Sequence, residues 1–224
     1  MRRRPTNQTA MSPSVTAFIK RHLQLLPVPG LPSIRLYASH AGSRLSQLAD
    51  PDDPDPPPPY WAFAWAGGLA LAHYLAEQPH LAAGRRILDL GAGSGLVGIA
   101  AAQAGATVWA AEIDPHGRAA ITLNAAANGV AISLREIDLD GPAPAHCDVI
   151  VAGDVFYNAE VAASMLPFLQ RCQDAGIDVL IGDPDRRDLP ITRLERVASY
   201  PVGDVGDARD KAERRGAVYR LHRL

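Results

Sequence analysis

The sequence predicts an α/β fold, a doubly wound and mostly parallel sheet with helices on both faces, and three observations predict it. Apolar runs such as "RILDLG", "CDVIVAGD" and "IDVLIGD" are near-continuous, as strands covered on both faces require. They alternate with longer stretches of helical period. Glycine or an acid stands at the junctions, where a strand must turn into a helix. With 224 residues, 47% hydrophobic and 21% charged, the chain is long enough for one well-buried core and short for two.

Residues 12–26, "SPSVTAFIKRHLQLL", place Val15, Phe18, Ile19, His22, Leu23 and Leu26 on one helical stripe. Ser12 fits an N-cap, with Pro13 at the first helical position. The turn-rich "PVPGLPS" follows, then "IRLYAS", which alternates as a short strand. "DPDDPDPPPP", residues 50–59, can be neither helix nor central strand and reads as a stiff exposed connector. It divides an N-terminal extension, residues 1–59 with the connector, from a main domain over 60–224.

In the main domain "WAGGLALAHYLAEQP" reads as a helix, "RILDLG" as the first strand, and "GLVGIAAAQAG" as a helix stopped by Gly105. "TVWAAEID" is the second strand. "PHGRAAITLNAAANG" is a helix opened by Pro115 and closed by Gly129. "AISLREID" and "CDVIVAGD" supply strands three and four. "NAEVAASMLPFLQRCQDAG" is a helix that Pro167 is expected to kink, and "IDVLIGD" is strand five. "ITRLERVAS" reads as a last helix, with "SYPVGDV" and "AVYRLHRL" as strands six and seven. Two final strands with no helix between them make an antiparallel hairpin at one edge. That ending belongs to the seven-stranded methyltransferase variant of the Rossmann-like sheet.

Composition narrows the function classes. A net charge of −2 gives no electrostatic footprint for nucleic acid. No run approaches the ~18–20 apolar residues of a membrane span. Cys147 and Cys172 lack C-x-x-C spacing, which favours a reduced compartment, and the seven His show no metal-ligand spacing. "MRRRPTNQTA" is basic, but no apolar stretch follows it, and Pro5 and Asn7 interrupt any amphipathic helix. A cytoplasmic monomer with no metal and no nucleic-acid or membrane partner is expected.

"ILDLGAGSGLVG", residues 87–98, satisfies two patterns: G-x-G-x-x-G over its last six residues, and an acid followed by three alternating glycines over its first nine. Gly91, Gly93 and Gly95 allow a tight turn and close approach of a ligand to the strand-to-helix junction. The helix opening near Gly95 favours an anion, and a pyrophosphate or the methionine carboxylate of S-adenosylmethionine meets that demand. Asp89 separates them. A carboxylate beside a pyrophosphate costs roughly 4 kcal/mol per charge pair at ~4 Å and an effective dielectric of ~20. The same carboxylate attracts the methionine ammonium, directly or through water. S-adenosylmethionine is therefore the expected cofactor, S-adenosylhomocysteine its product, and a nicotinamide dinucleotide the alternative. Glu112, 17 residues after Gly95, is placed to accept both ribose hydroxyls. Asp138 follows the third strand and either accepts from the adenine amino group or caps a turn.

The acceptor site of such a sheet lies over the carboxyl ends of strands four and five. There "AGDVFYN" sets Asp154 at a strand end with Phe156 and Tyr157 beside it. Val155 and Phe156 replace the two prolines of the [D/N]-P-P-[Y/F] tetrapeptide, against a planar amide or exocyclic amine acceptor. Asp-x-x-Tyr at this position resembles the family of protein-lysine methyltransferases marked by that motif. "PYWAFAWAGGLALAHYL", "GDVFYNAEVA" and "LIGDPDR", with the glycine loop, resemble the branch that modifies the electron transfer flavoprotein β subunit; these segments cover most of residues 59–187. The resemblance implies methylation of lysines on that protein substrate, near the surface that meets partner dehydrogenases, and on a ribosomal stalk protein in some relatives.

In this reading Asp154 captures and orients the lysine. Trp61, Phe156 and Tyr157 form walls that desolvate it, with Trp61 also bordering the cofactor. Trp61 and Trp65 stand four apart, which suits a packed helical pair equally well. Asp183 and Arg186, after strand five, either bind substrate or pair with each other. Two further functions stay open: methylation of a small molecule or RNA, and a non-catalytic module that only binds the cofactor.

Overall fold

The computed structural model describes residues 13–50, 52–203 and 215–222. Ser12, the expected helix cap, and part of the "SYPVGDV" strand lie outside the described residues. Seven strands form one sheet: β3 (Arg86–Leu90), β4 (Thr107–Ala111), β5 (Ile132–Leu134), β6 (Val149–Gly153), β7 (Asp178–Asp183), β8 (Leu194–Pro201) and β9 (Arg215–Leu221). These follow an N-terminal hairpin of β1 (Gln24–Val28) and β2 (Leu31–Ala38). Among the described residues five helices accompany them: α1 (Pro13–His22), α2 (Ala66–Glu77), α3 (Leu96–Gln103), α4 (Pro115–Ala127) and α5 (Ala159–Asp174).

The strand order is β5-β4-β3-β6-β7-β9-β8, parallel up to β7, with β9 antiparallel to both its neighbours. Direction of winding reverses between β3 and β6, and the crevice at such a switch point receives ligands. Alternate residues of the central strands feed two cores. Leu88, Ile150, Ala152 and Ile181 face Phe168 and Leu169 of α5, while Ile87, Val149, Val151 and Leu180 face Leu71 and Leu75 of α2. This two-sided burial is why these strands read as unbroken apolar runs. Glycines in left-handed conformation end α3 at Gly105 (φ +93°) and α4 at Gly129 (φ +66°). Helix α5 continues past Pro167. Among the described residues no helix is long and apolar enough to cross a membrane.

Two expectations fail. The first helix stops at His22, and residues 24–28 are strand β1, turned into β2 at Gly30 (φ +76°). "ITRLERVAS" is not a helix: after a short 3-10 turn over Ile191–Arg193 it is edge strand β8. Its burial is graded rather than alternating, because a register shift between Arg196 and Ala198 interrupts its pairing with β9.

The N-terminal hairpin is joined to the sheet domain by polar contacts and packing. Asn128 Oδ1 accepts the Arg35 N–H at 2.8 Å and Asn124 Oδ1 the Tyr37 N–H at 2.8 Å. Ile34 and Leu36 pack with Leu96 and Ile99 of α3, and Ile19 of α1 packs with Trp61 and Ala120. The acidic proline segment lies exposed at Asp50, Asp52, Asp53 and Asp55.

Helix α2 sits on the sheet through glycine. A Cβ on Gly67 would stand 2.2 Å from the Gly182 carbonyl oxygen, and one on Gly182 would stand 2.1 Å from that of Gly67. The bare backbones bring the start of α2 to the carboxyl ends of β6 and β7, where Asp154 begins.

Candidate active site

The glycine loop is built from three left-handed residues, Gly91 (φ +69°), Gly93 (φ +52°) and Gly95 (φ +80°), and α3 opens directly behind it. The Gly91 and Ala92 N–H groups both donate to the Ala111 carbonyl at 3.0 Å, tying the loop to the end of β4. Asp89 is fully buried, not at the loop's mouth. Its Oδ2 accepts the Gly98 N–H at 2.8 Å, and burial pushes its carboxyl up to about 7. Glu112 stands closer to the opening. It accepts the Gly93 N–H at 2.8 Å on Oε2 and the Asp114 N–H at 2.9 Å on Oε1, and burial raises its carboxyl as well. Neither acid has an ion-pair partner among the described residues.

Trp61 roofs this region. It is only 2% exposed, its Cα lies 3.9 Å from where a Cβ on Gly93 would be, and its ring centroid is 6.4 Å from that of His116. Its Nε1 is buried without a hydrogen-bond partner among the described residues, an arrangement that costs about 1–3 kcal/mol unless a ligand or water accepts from it. Ile113, next to Glu112, is 96% exposed. Asp138 is exposed and closes a turn, with Oδ1 accepting the Asp140 N–H at 3.0 Å; it also lines a cavity of about 310 Å³ with Arg135, Ile137 and Pro142.

Asp154 takes a left-handed conformation (φ +59°) at the end of β6, and the next residue connects it to the loop: Val155 Cγ1 lies 3.1 Å from the place of a Gly91 Cβ. Helix α2 has no cap from its own N-cap residue, Trp65. Asp154 caps it from another element, accepting the Gly67 N–H at 3.1 Å on Oδ1 and the Gly68 N–H at 2.7 Å on Oδ2. Oδ1 also pairs with Nη1 of Arg186. The same Nη1 is 3.4 Å from Oδ2 of Asp183, whose Oδ1 accepts the Arg186 N–H at 2.6 Å. Burial raises both carboxyls, Asp183 to about 6, against the opposing pull of Arg186.

Tyr157 is 47% exposed and its ring lies 5.6 Å from that of Tyr60, which in turn lies 5.7 Å from Trp65. Burial raises the Tyr157 hydroxyl, with Tyr60, Glu112 and Glu160 contributing. Phe156, expected as a channel wall, is fully buried in the core with Met165 and Phe168. In an Asp-x-x-Tyr turn the two middle side chains face inward here, so Val155 and Phe156 anchor the turn and do not line it. Asp183 is likewise 0% exposed.

The structure thus brings Glu112, Trp61 and the three glycines together with Asp89 buried behind them, and Asp154, Tyr157, Asp183 and Arg186 to the adjoining ends of β6 and β7. Asp138 stands further along the sheet edge. Four residues escaped the sequence reading. Gly67–Gly68 carried a signal, since paired glycines inside a predicted helix demand a reason. Ile113 carried one too, an apolar residue directly after an acid at a strand end. Tyr60 carried none.

Sheet order, terminal hairpin and glycine loop define a methyltransferase of the Rossmann-like class. The chain belongs to the lysine methyltransferase family, which matches residues 62–198. It is similar to the electron transfer flavoprotein β subunit lysine methyltransferase of Xenopus laevis, 36% identical over 200 residues, covering 84% of this chain and 79% of that one. The Homo sapiens protein of that name is 40% identical over 134 residues, covering 57% of this chain and 50% of that one. This chain therefore spans about half the length of the human relative. Among solved structures, ribosomal protein L11 methylase from Lactobacillus delbrueckii subsp. bulgaricus superposes with a TM-score of 0.51 at 25% identity, covering 71% of this chain and 81% of that one.

Proposed function

We propose that this protein transfers methyl groups from S-adenosylmethionine to lysine side chains of the electron transfer flavoprotein β subunit. The observation that carries the proposal is the capped Asp154 turn set directly against the glycine loop, in a chain whose relatives bear that substrate's name. A ribosomal stalk protein is a second substrate in the same reading, as the L11 methylase likeness suggests. The same reading takes the chain as a cytoplasmic monomer acting on protein rather than nucleic acid.

The crevice fits the sulfonium cofactor on three grounds: the left-handed glycines, the unpartnered Trp61 Nε1, and exposed Ile113 beside Glu112. In the proposal Gly91, Gly93 and Gly95 receive its amino-acid end, with Asp89 behind them holding α3 in place. Glu112 takes the ribose hydroxyls, Ile113 covers the adenine, and Asp138 accepts from its amino group. When bound, the cofactor supplies a methyl carbon that the amine lone pair attacks as the carbon–sulfur bond breaks, the bonding pair staying on sulfur.

The chain's own residues then have two tasks. They must align the amine in line with the methyl group. They must also receive it without its proton, since neutralising a lysine of pKa ~10.4 at pH 7 costs about 4.6 kcal/mol. Asp154 performs the first. A carboxylate offers about four lone-pair directions; Gly67, Gly68 and Arg186 use three, and the amine takes the fourth. Tyr157 and Tyr60 wall the approach of the lysine stem, adding about 1 kcal/mol of cation–π attraction on entry.

Mass spectrometry of the electron transfer flavoprotein β subunit after incubation with this protein and S-adenosylmethionine tests the proposal. Mass gains of 14 Da steps (about, per methyl group) on lysine are expected; an unmodified subunit beside methylation of RNA or a small molecule would overturn it.

A further inference from the structure

Asp154 poses a difficulty for lysine chemistry. An unopposed carboxylate beside an amine stabilises the ammonium form, which is the unreactive one. The structure contains an answer in Arg186. Its side chain is held against Asp154 at the end of β6 and against Asp183 at the end of β7, with its backbone N–H fixed on Asp183 Oδ1 at 2.6 Å. The Arg186 side chain is 20% exposed, that of Asp154 10% and that of Asp183 0%, so the charges interact across little water.

Resting on the lysine reading above, we propose that Arg186 is a positioning residue that offsets the charge of Asp154, so that Asp154 accepts a hydrogen bond from a neutral lysine amine instead of retaining an ammonium. Asp154 keeps its orienting role because its direction is set by the α2 cap, through Gly67 and Gly68, and not by the substrate. The proton leaves the lysine for solvent as the amine enters, and a fixed cation beside the acid favours that departure. Asp183 tunes the strength of the offset, because it competes for the same Nη1.

Among the described residues, Arg186 acts on Asp154, and Arg186 and Asp154 act on Asp183. Tyr157 feels Tyr60, Glu112 and Glu160. Asp185, next in the loop, is bound to Arg196 at 2.7 Å and to the Tyr219 hydroxyl, on β8 and β9. From α2 it is backbone N–H groups, not titratable side chains, that meet Asp154.

The test is the pH profile of kcat for methylation of the flavoprotein β subunit, with the full chain and with cofactor and flavoprotein both saturating, because kcat titrates the groups of the bound complex. For the unaltered protein the rate rises with pH as the amine loses its proton. Arg186→Gln is expected to move the rising limb up by about one pH unit, so that a loss of about tenfold at neutral pH is recovered in alkaline solution. Arg186→Lys restores the limb towards its original position. Asp183→Asn, which removes the competing charge but keeps an acceptor for the Arg186 N–H, moves the limb down; this variant carries the test if Arg186→Gln fails to fold. A residue that merely held the loop would lower the rate by the same factor at every pH, and that result, or an Asp183→Asn limb that does not move, overturns the inference. If the unaltered protein methylates no lysine, the proposed function falls first and the inference with it.

Discussion

The two halves of the crevice solve opposite electrostatic problems with the same residue type. At the glycine loop, Asp89 and Glu112 are buried acids whose hydrogen bonds go to backbone N–H groups of Gly98, Gly93 and Asp114, and among the described residues no cation pairs with them. At the ends of β6 and β7, Asp154 and Asp183 are buried acids that share Arg186. In the first half burial holds the acids towards their neutral form, and a ligand that brings its own positive charge draws them back towards the ionised one. The second half brings its own cation and suits a neutral amine. A methyl donor that is a sulfonium and an acceptor that must be unprotonated match the two halves in that order.

The largest way to break this comparison is to remove Asp154. Asp154→Ala strips the cap from α2 and leaves Arg186 without one partner. We expect transfer to fall by at least about a hundredfold and stability by about 3 kcal/mol, while S-adenosylmethionine still binds; near-normal turnover would remove the assignment. Gly67→Ala attacks the same joint sterically. A Cβ 2.2 Å from the Gly182 oxygen must lift α2 from the sheet, costing about 3 kcal/mol in denaturant unfolding; an unchanged midpoint would mean that the close approach is absent.

The loop half is tested by pH. Burial raises the Asp89 carboxyl from 3.8 to about 7, so the folded protein binds that proton more tightly than the unfolded chain does. The stability that this proton contributes is therefore fully present below about pH 4 and is lost as pH rises through about 7, by about 2 kcal/mol between pH 5 and 7.5. Asp183, raised to about 6, adds a smaller change of the same sign. Asp89→Asn keeps an acceptor for Gly98 and removes most of that slope. A slope equal to that of the unaltered chain would show that Asp89 is ionised throughout.

Glu112→Gln sharpens the comparison further. It leaves an oxygen for Gly93 but weakens acceptance from ribose hydroxyls, lowering cofactor affinity about tenfold, or ~1.4 kcal/mol. Trp61→Phe is the mildest. Its Nε1 has no hydrogen-bond partner to lose among the described residues, so the change costs about 1 kcal/mol of stability through lost packing while cofactor affinity drops about threefold. An unchanged cofactor affinity would assign Trp61 to packing alone.

The sheet was legible because its inner strands are apolar on both faces and end at glycine or acid, as "RILDLG" and "CDVIVAGD" do. Edges were harder to read. "ITRLERVAS" has Ile191, Leu194 and Val197 at helical spacing, and its irregular pairing with β9 leaves no alternation to reveal a strand. "LQLL" continued the helical stripe of α1, and only the turn at Gly30 separates it as β1. In the site, residue types and strand ends identified the acids, but not where they point. Asp89 turns inward because Gly98, one helical turn into α3, presents its N–H there. Phe156 is buried because the Asp154 turn begins left-handed. The Asp154–Arg186 pair spans 32 residues and two strands, a juxtaposition that no local pattern encodes.

The most direct measurement is a calorimetric titration of the full chain with S-adenosylmethionine and, in parallel, with NAD. A loop half whose acids pair with no cation among the described residues predicts saturable uptake of the sulfonium and none of the dinucleotide. Uptake of NAD with indifference to the sulfonium would contradict the account at its root.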